Sequence, residues 1–364
     1  NQWRFEHGTP EQRGNSAYDN SRNGLGKWLS KHLEELRGAG FFEFNSIPYL
    51  GYTVRALLNV EAFPRDPKIR STARHILDSV NWQYALGSFD LRRCAPFRRQ
   101  TRRAGITGLQ EDKHTSFMLV WTNSPADAPA LEPREETIAE VMPYRPPKGV
   151  IEWVLHKPEN YFVRLGHGKE SSPELYSGGP DFLVSAGGVS RGSRSMIAAR
   201  PTSLLLHDGA KDLRECFHLT GKGEWEEWNN TGVCDRFACS NGKVHVPEAY
   251  TAAATNGGWS VYNVPASPRL MVAVCNKPGI ALLAVFPNET GSAKDLAEEI
   301  ACANGDEAGL ARTFNWPGGG NASYDLDAPH RQWVITAIDG KPTDRDLDRW
   351  PQMDGRGPKA TFDR

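Results

Sequence analysis

The sequence predicts helices first and strands afterwards, in segregated blocks: helical hairpins, then an antiparallel β-sandwich or barrel. Three observations carry this. Apolar residues recur at helical spacing over the first 110 or so positions, a proline-rich acidic stretch spans 123–148, and from 149 short apolar runs alternate with Gly, Pro and Asn turns.

The first helix has Leu25, Trp28, Leu29, Leu33 and Leu36 on one face and ends at Gly38 and Gly40. A second helix starts from Ser46 as N-cap, with Pro48 in its first turn and Leu50, Val54, Leu57 and Leu58 as its buried stripe. A third is capped by Asp66, opens on Pro67, and lines up Ile69, Ala73, Ile76, Leu77, Val80 and Tyr84. The loop between the second and third is a few residues long, so the two form an antiparallel hairpin. Repeated hairpins build a toroid or a solenoid, and no fixed-period repeat favours the solenoid.

The division is therefore 1–122 helical, 123–148 a linker or long loop, and 149–364 a β domain. Its candidate strands are Val150–Leu155, Tyr161–Gly166, Phe182–Ala186, Ser203–Leu206, Glu215–Leu219, Trp259–Val264, Leu270–Cys275, Ile280–Phe286 and Trp333–Ile338. One helix, Lys294 to Cys302, interrupts them.

The chain of 364 residues carries a net charge of −1, so no global field recruits nucleic acid or a membrane, and a charged partner needs a local patch. No apolar run is long enough to span a bilayer. Six cysteines occur without a CxxC pair; among Cys216, Cys234 and Cys239 a disulfide and free buried thiols stand near even. Sequons at Asn229, Asn288 and Asn321 are about as many as chance provides and lend secretion little support. The start at Asn1, with neither Met nor signal peptide, reads as a processed or trimmed product.

Two constellations can carry chemistry. The first is Glu43-Phe44-Asn45-Ser46-Ile47-Pro48-Tyr49, where Asn45 and Tyr49 flank a helix start whose dipole favours an anion. Plain capping and packing would explain the same residues. The second is a run of six arginines within twelve residues: Arg92, Arg93, Arg98, Arg99, Arg102 and Arg103. Guanidinium forks bind carboxylate and sulfate in bidentate fashion, so an acidic glycan fits better than nucleic acid. His114 follows the run and His167 ends a candidate strand; neither has metal-ligand spacing. Gly178-Gly179-Pro180 and Gly187-Gly188 read as turns or close approaches within a sheet.

The block GFFEFNSIPY, the hairpin after it, and the later YSGGPDFLVSAGG leading to RPTSLLLHDG together resemble heparinase II/III-like proteins. These are polysaccharide lyases and relatives, with an (α/α) toroid followed by an antiparallel β-sandwich. The resemblance implies a secreted, periplasmic or cell-surface lyase that cleaves a uronic-acid polymer by β-elimination. Asn45 and Tyr49 match in type. Asn45, Tyr49 and His114 are the expected catalytic residues, and Glu43, Arg98, Arg99 and Arg102 the expected substrate-binding ones. Residues 1–122 supply fewer helices than such a toroid has, so the chain would carry a partial toroid that a second copy or a further segment completes. No cofactor is expected, and a structural divalent metal stays open. A glycoside hydrolase on the same scaffold would pair Glu43 with Glu6, Glu11 or Asp19. A non-catalytic glycan-binding surface protein is the other alternative, with eleven tryptophans for sugar stacking.

Overall fold

The computed structural model describes residues 1–47, 49–98, 108–124, 133–189, 197–198, 200–222, 228–288, 291–305 and 307–356. Helices fill the N-terminal part: α1 (Gln2–His7), α2 (Leu25–Ala39), α3 (Leu50–Ala62), α4 (Pro67–Gly87), α5 (Lys113–Trp121), α6 (Pro133–Val141) and α7 (Lys148–Leu155). Mostly antiparallel sheets fill the remainder.

The start of α4 forms as its sequence dictates. Asp66 accepts from the Lys68 and Ile69 amides, Pro67 stands at the first helical position, and the whole predicted stripe from Ile69 to Tyr84 is buried. The start of α3 differs from expectation. It begins at Leu50, and the Ser46 backbone carbonyl rather than its hydroxyl accepts from the Tyr49 and Leu50 amides. Ser46 is fully buried and its Oγ has no hydrogen-bond partner among the described residues, so it is no N-cap.

The expected linker and the first expected strand also need correction. Within 123–148, α6 forms, and Glu135 and Ala139 are buried. Val150–Leu155 lies in α7, where Val150, Trp153 and Val154 share one face that packs into the helical core. That six-residue apolar run suits a buried strand or a short helix equally well, and the fit against α4 decides for the helix. Helical structure thus continues to Leu155.

Three layers result. The middle layer is a seven-stranded antiparallel sheet, in spatial order Lys243–His245, Phe217–Thr220, Thr202–Leu206, Phe182–Gly187, Glu174–Gly179, Tyr161–Leu165 and Asp354–Arg356. Alternation sends Phe162, Leu175, Val184, Leu204 and Phe217 to one side, into a core shared with a six-stranded sheet. It sends Tyr161, Val163, Tyr176, Leu183 and Leu205 to the other side, against the helices. The six-stranded sheet runs Val233–Cys234, Phe237–Ser240, Ile280–Pro287, Leu270–Lys277, Trp259–Asn263 and Ala254–Asn256. Helix α8 (Ala293–Asn304), with a capping box between Ser292 and Asp295, packs on this sheet's Ala254–Asn256 and Trp259–Asn263 strands.

Of the two readings of Gly178-Gly179, the close approach within a sheet holds: both lie in a strand, and a side chain at Gly178 would strike the Tyr161 ring. Cys216 and Cys239 are free buried thiols, so no disulfide joins two of the three clustered cysteines. Asn229 is buried, and its amide donates to the Pro329 and Gln332 carbonyls, which closes the first sequon to a glycan. Among the described residues no helix is long and apolar enough to cross a membrane.

Candidate active site at the junction of helices and sheet

The helix-facing side of the seven-stranded sheet turns polar at one end. Glu174 and Tyr176 lie two apart on one strand, so both point at the helices. Tyr176 fits because α4 ends in Gly87, where a Cβ would meet the Tyr176 ring at 2.4 Å. From the other side, Asn45 projects out of the loop leading to α3. Its φ of 51° is left-handed, a conformation Asn tolerates better than most residues. Arg93 arrives on a two-residue hairpin in which Ser88 pairs with Arg93, and Asp90 and Leu91 carry the positive φ of a type I′ turn.

These groups form one buried network. Asn45 Nδ2 donates to Glu174 Oε2 at 2.8 Å and to the Pro96 carbonyl at 3.2 Å. Arg93 Nη2 donates to Asn45 Oδ1 at 3.1 Å, and Arg93 Nη1 to Asp112 at 2.5 Å. Tyr176 donates its hydroxyl proton to Glu174 Oε2. His167 Nε2 meets Glu174 Oε1 at 2.7 Å, and its ring stacks on Phe44 with centroids 3.6 Å apart. Arg98 Nη2 donates to Ser171 at 2.6 Å, and its guanidinium lies over the rings of Phe42 and Phe44. Arg200 Nη1 donates to the Arg93 carbonyl at 3.0 Å. A cavity of about 10 Å³, room for roughly one water, is lined by Asn45, Arg93, Asp112 and Arg200.

The charges are set by this packing. Burial pushes the Glu174 carboxyl up, but the hydrogen bond from His167 and the His167 and Arg93 charges outweigh it and hold the group below the usual carboxylate range. Arg93 loses hydration on burial, yet Asp112, Tyr176 and Glu174 secure its charge. Burial and the neighbouring Glu174 raise Tyr176 well above a normal phenol, so it remains a donor. An ionised carboxylate only accepts, so His167 Nε2 is the donor to Glu174 and the imidazole ring is held with Nδ1 turned away from it.

The expected site residues divide accordingly. Asn45 and Arg98 come together at the junction. Tyr49 stands apart on the surface, 39% exposed, with its ring against Tyr52. Glu43 is half-buried on the same loop as Asn45. Arg99 and Arg102 lie outside the described residues. Arg92, Arg93 and Arg98 are buried rather than presented as open forks for an acidic glycan, because Asp208, Asp112 and Ser171 respectively receive their guanidinium groups.

His114 is corrected from catalyst to core. It is 1% exposed on α5 and meets Asn81 Oδ1 at 2.7 Å. Burial, assisted by the Arg93 charge, drives it well below a normal imidazole, so it stays neutral. No spacing in the sequence marks Glu174, Tyr176 or Arg200 as site residues. One clue is present: a carboxylate and a phenol at i and i+2 just before Gly178-Gly179, on the same face if that segment is a strand.

Beside the junction lies an aromatic surface. Phe42, Tyr49 and Tyr52 are exposed, and Tyr52 lies under the Arg55 guanidinium at 4.5 Å and the Lys113 ammonium at 5.5 Å. Among the described residues no three His, Cys, Asp or Glu come together as a metal site. Comparison with family models, with curated proteins and with solved structures finds no match to this chain.

Proposed function

We propose that this chain is a carbon–oxygen lyase that opens a uronic-acid-containing polysaccharide by β-elimination at the junction of helices and sheet. The observation that carries the proposal is the buried network of Asn45, Arg93, Glu174 and His167. It joins residues far apart in sequence and spends two buried carboxylates and a buried guanidinium on one place, a cost common at reactive sites.

The chemistry needs three parts. A C5 proton beside a carboxylate becomes acidic only when the carboxylate charge is offset; in this reading Asn45 turns one N–H from the Pro96 carbonyl to the substrate, with the Arg93 charge behind it. A base must take that proton, and His167, held by Glu174 and Phe44, is the best-oriented candidate. The leaving O4 needs a proton, and Tyr49 at the surface is the donor in this reading. Phe42 and Tyr52 offer ring faces for sugars, and Arg55 and Lys113 attract acidic groups.

In the same reading the helical hairpins are an arc of an (α/α) toroid and the two large sheets are the β-sandwich of heparinase II/III-like proteins. The working surface is extracellular, periplasmic or on the cell surface, and a second copy or a further segment completes the arc. A hydrolase is less well supported, since Glu6 is clamped by Arg65, Asp19 by Ser21 and Arg22, and Glu11 bonds Thr9.

The test is digestion of a panel of uronic-acid polymers. A rise in ultraviolet absorption from a C4–C5 double bond supports the lyase. Reducing ends released without that absorption would assign a hydrolase, and binding without turnover a glycan-binding protein.

A further inference from the structure

A second cavity, of about 750 Å³, opens between the sheets, bounded by Tyr161–Phe162, the turn at Cys234–Arg236 and the loop Trp316–Gly320. Its size falls among small-ligand sites. Trp316 stands half-buried in its wall, edge-on to Phe314 at 4.8 Å and to Phe286 at 5.6 Å. These contacts fix the indole plane before any ligand arrives, which lowers the ordering cost of stacking on it. Gly318, Gly319 and Gly320 form a lip without side chains, and a Cβ at either of the first two would meet open space.

Polar groups converge on the same cleft. Among the described residues, the Trp316 indole N–H, the Arg236 guanidinium, the Asn160 amide and the Glu299 carboxylate have no hydrogen-bond partner. Together they offer donors, an acceptor and a group that does both, beside an aromatic plane. A pyranose ring presents the complement: an apolar C–H face and equatorial hydroxyls that donate and accept. Among the described lining residues, Asp235, Asp339 and Glu299 stand against one cation, Arg236, so this lining is net negative and disfavours a polyanion.

We propose that this cleft is a binding site for a neutral oligosaccharide, separate from the junction and independent of the β-elimination reading. Titration calorimetry with cellohexaose, mannohexaose and xylohexaose tests it on the full chain. One of the three binds, Trp316→Ala abolishes the heat, and Arg236→Ala and Asn160→Ala each weaken binding at least about tenfold. Among the described residues the latter two side chains make no hydrogen bonds, so their variants are expected to fold even where loss of Trp316 disturbs the Phe286 and Phe314 packing. Absence of binding by all three sugars, or binding that Arg236→Ala and Asn160→Ala both leave unchanged, overturns the proposal. Tighter binding of a polyuronate hexamer than of any neutral one does so too. Because the readout is binding heat, failure here leaves the turnover assay at the junction untouched, and the reverse holds.

Discussion

The two faces of the seven-stranded sheet come from the same strands and are chemically unlike. Toward the six-stranded sheet, Phe162, Leu175, Val184, Leu204 and Phe217 make an apolar layer. Toward the helices, the same alternation gives Val163, Leu183 and Leu205 and then ends in Glu174 and Tyr176, bound to Asn45 and through it to Arg93. An all-apolar second face would be at least as stable, since ionic groups lose hydration when buried. The difference teaches that one face is built for stability while the polar end of the other is built for something else.

The comparison can be broken by mutation, and the polar end is the more sensitive place. Arg93→Met leaves Asp112 and Glu174 buried without their counter-charge and costs about 3–5 kcal/mol, read from urea unfolding at neutral pH. That cost shrinks in acid as the two carboxylates take up protons.

Next comes pH. Burial lowers His218 from 6.5 to about 4, although the Cys216 carbonyl works the other way. The unfolded chain binds that proton first, so the contribution is complete above pH 6.5 and is lost as pH falls toward 4, by up to about 3 kcal/mol. His114, also lowered, acts in the same direction. The lowered Glu174 contributes above its ordinary value of 4.5 and is lost only below that, through its folded value. The gap between the unfolding midpoints at pH 7.5 and 4.5 narrows in His218→Gln, and what remains includes the His114 contribution.

Glu174→Gln should cost about 1–3 kcal/mol and, by releasing His167, lower turnover about a hundredfold or more. Phe217→Leu on the apolar face should cost about 1–2 kcal/mol and leave turnover per folded molecule unchanged. If Phe217→Leu instead abolished turnover while Glu174→Gln did not, the division of labour between the two faces would be lost.

Legibility in the sequence followed the same division. Asp66-Pro67 and the stripe behind it named α4, and most strands were recognisable from short apolar runs between turns, because both signals are local. The run Val150–Leu155 reads as a strand in sequence although a six-residue apolar run suits a short helix equally well, and only contact with α4 decides. Asn45 stood out beside a helix start. The arginine run reads in sequence as forks for an acidic glycan, whereas Arg93 and Arg98 are held by Asp112 and Ser171, 19 and 73 residues away, which no local pattern shows. Glu174 sits 129 residues from Asn45, and no local pattern encodes that meeting.

The central claim is that Asn45 acts at a reaction site rather than as mortar between layers. Asn45→Gly separates the two roles, because glycine accepts the left-handed backbone at no steric cost while the amide is removed. On a uronate polymer followed by ultraviolet absorption, the variant should lose about 1–3 kcal/mol of stability as Glu174 and Arg93 lose a buried partner, remain folded at 25 °C, and lose at least about a hundredfold in rate. A folded Asn45→Gly protein that generates the unsaturated product at the parent rate would contradict the account.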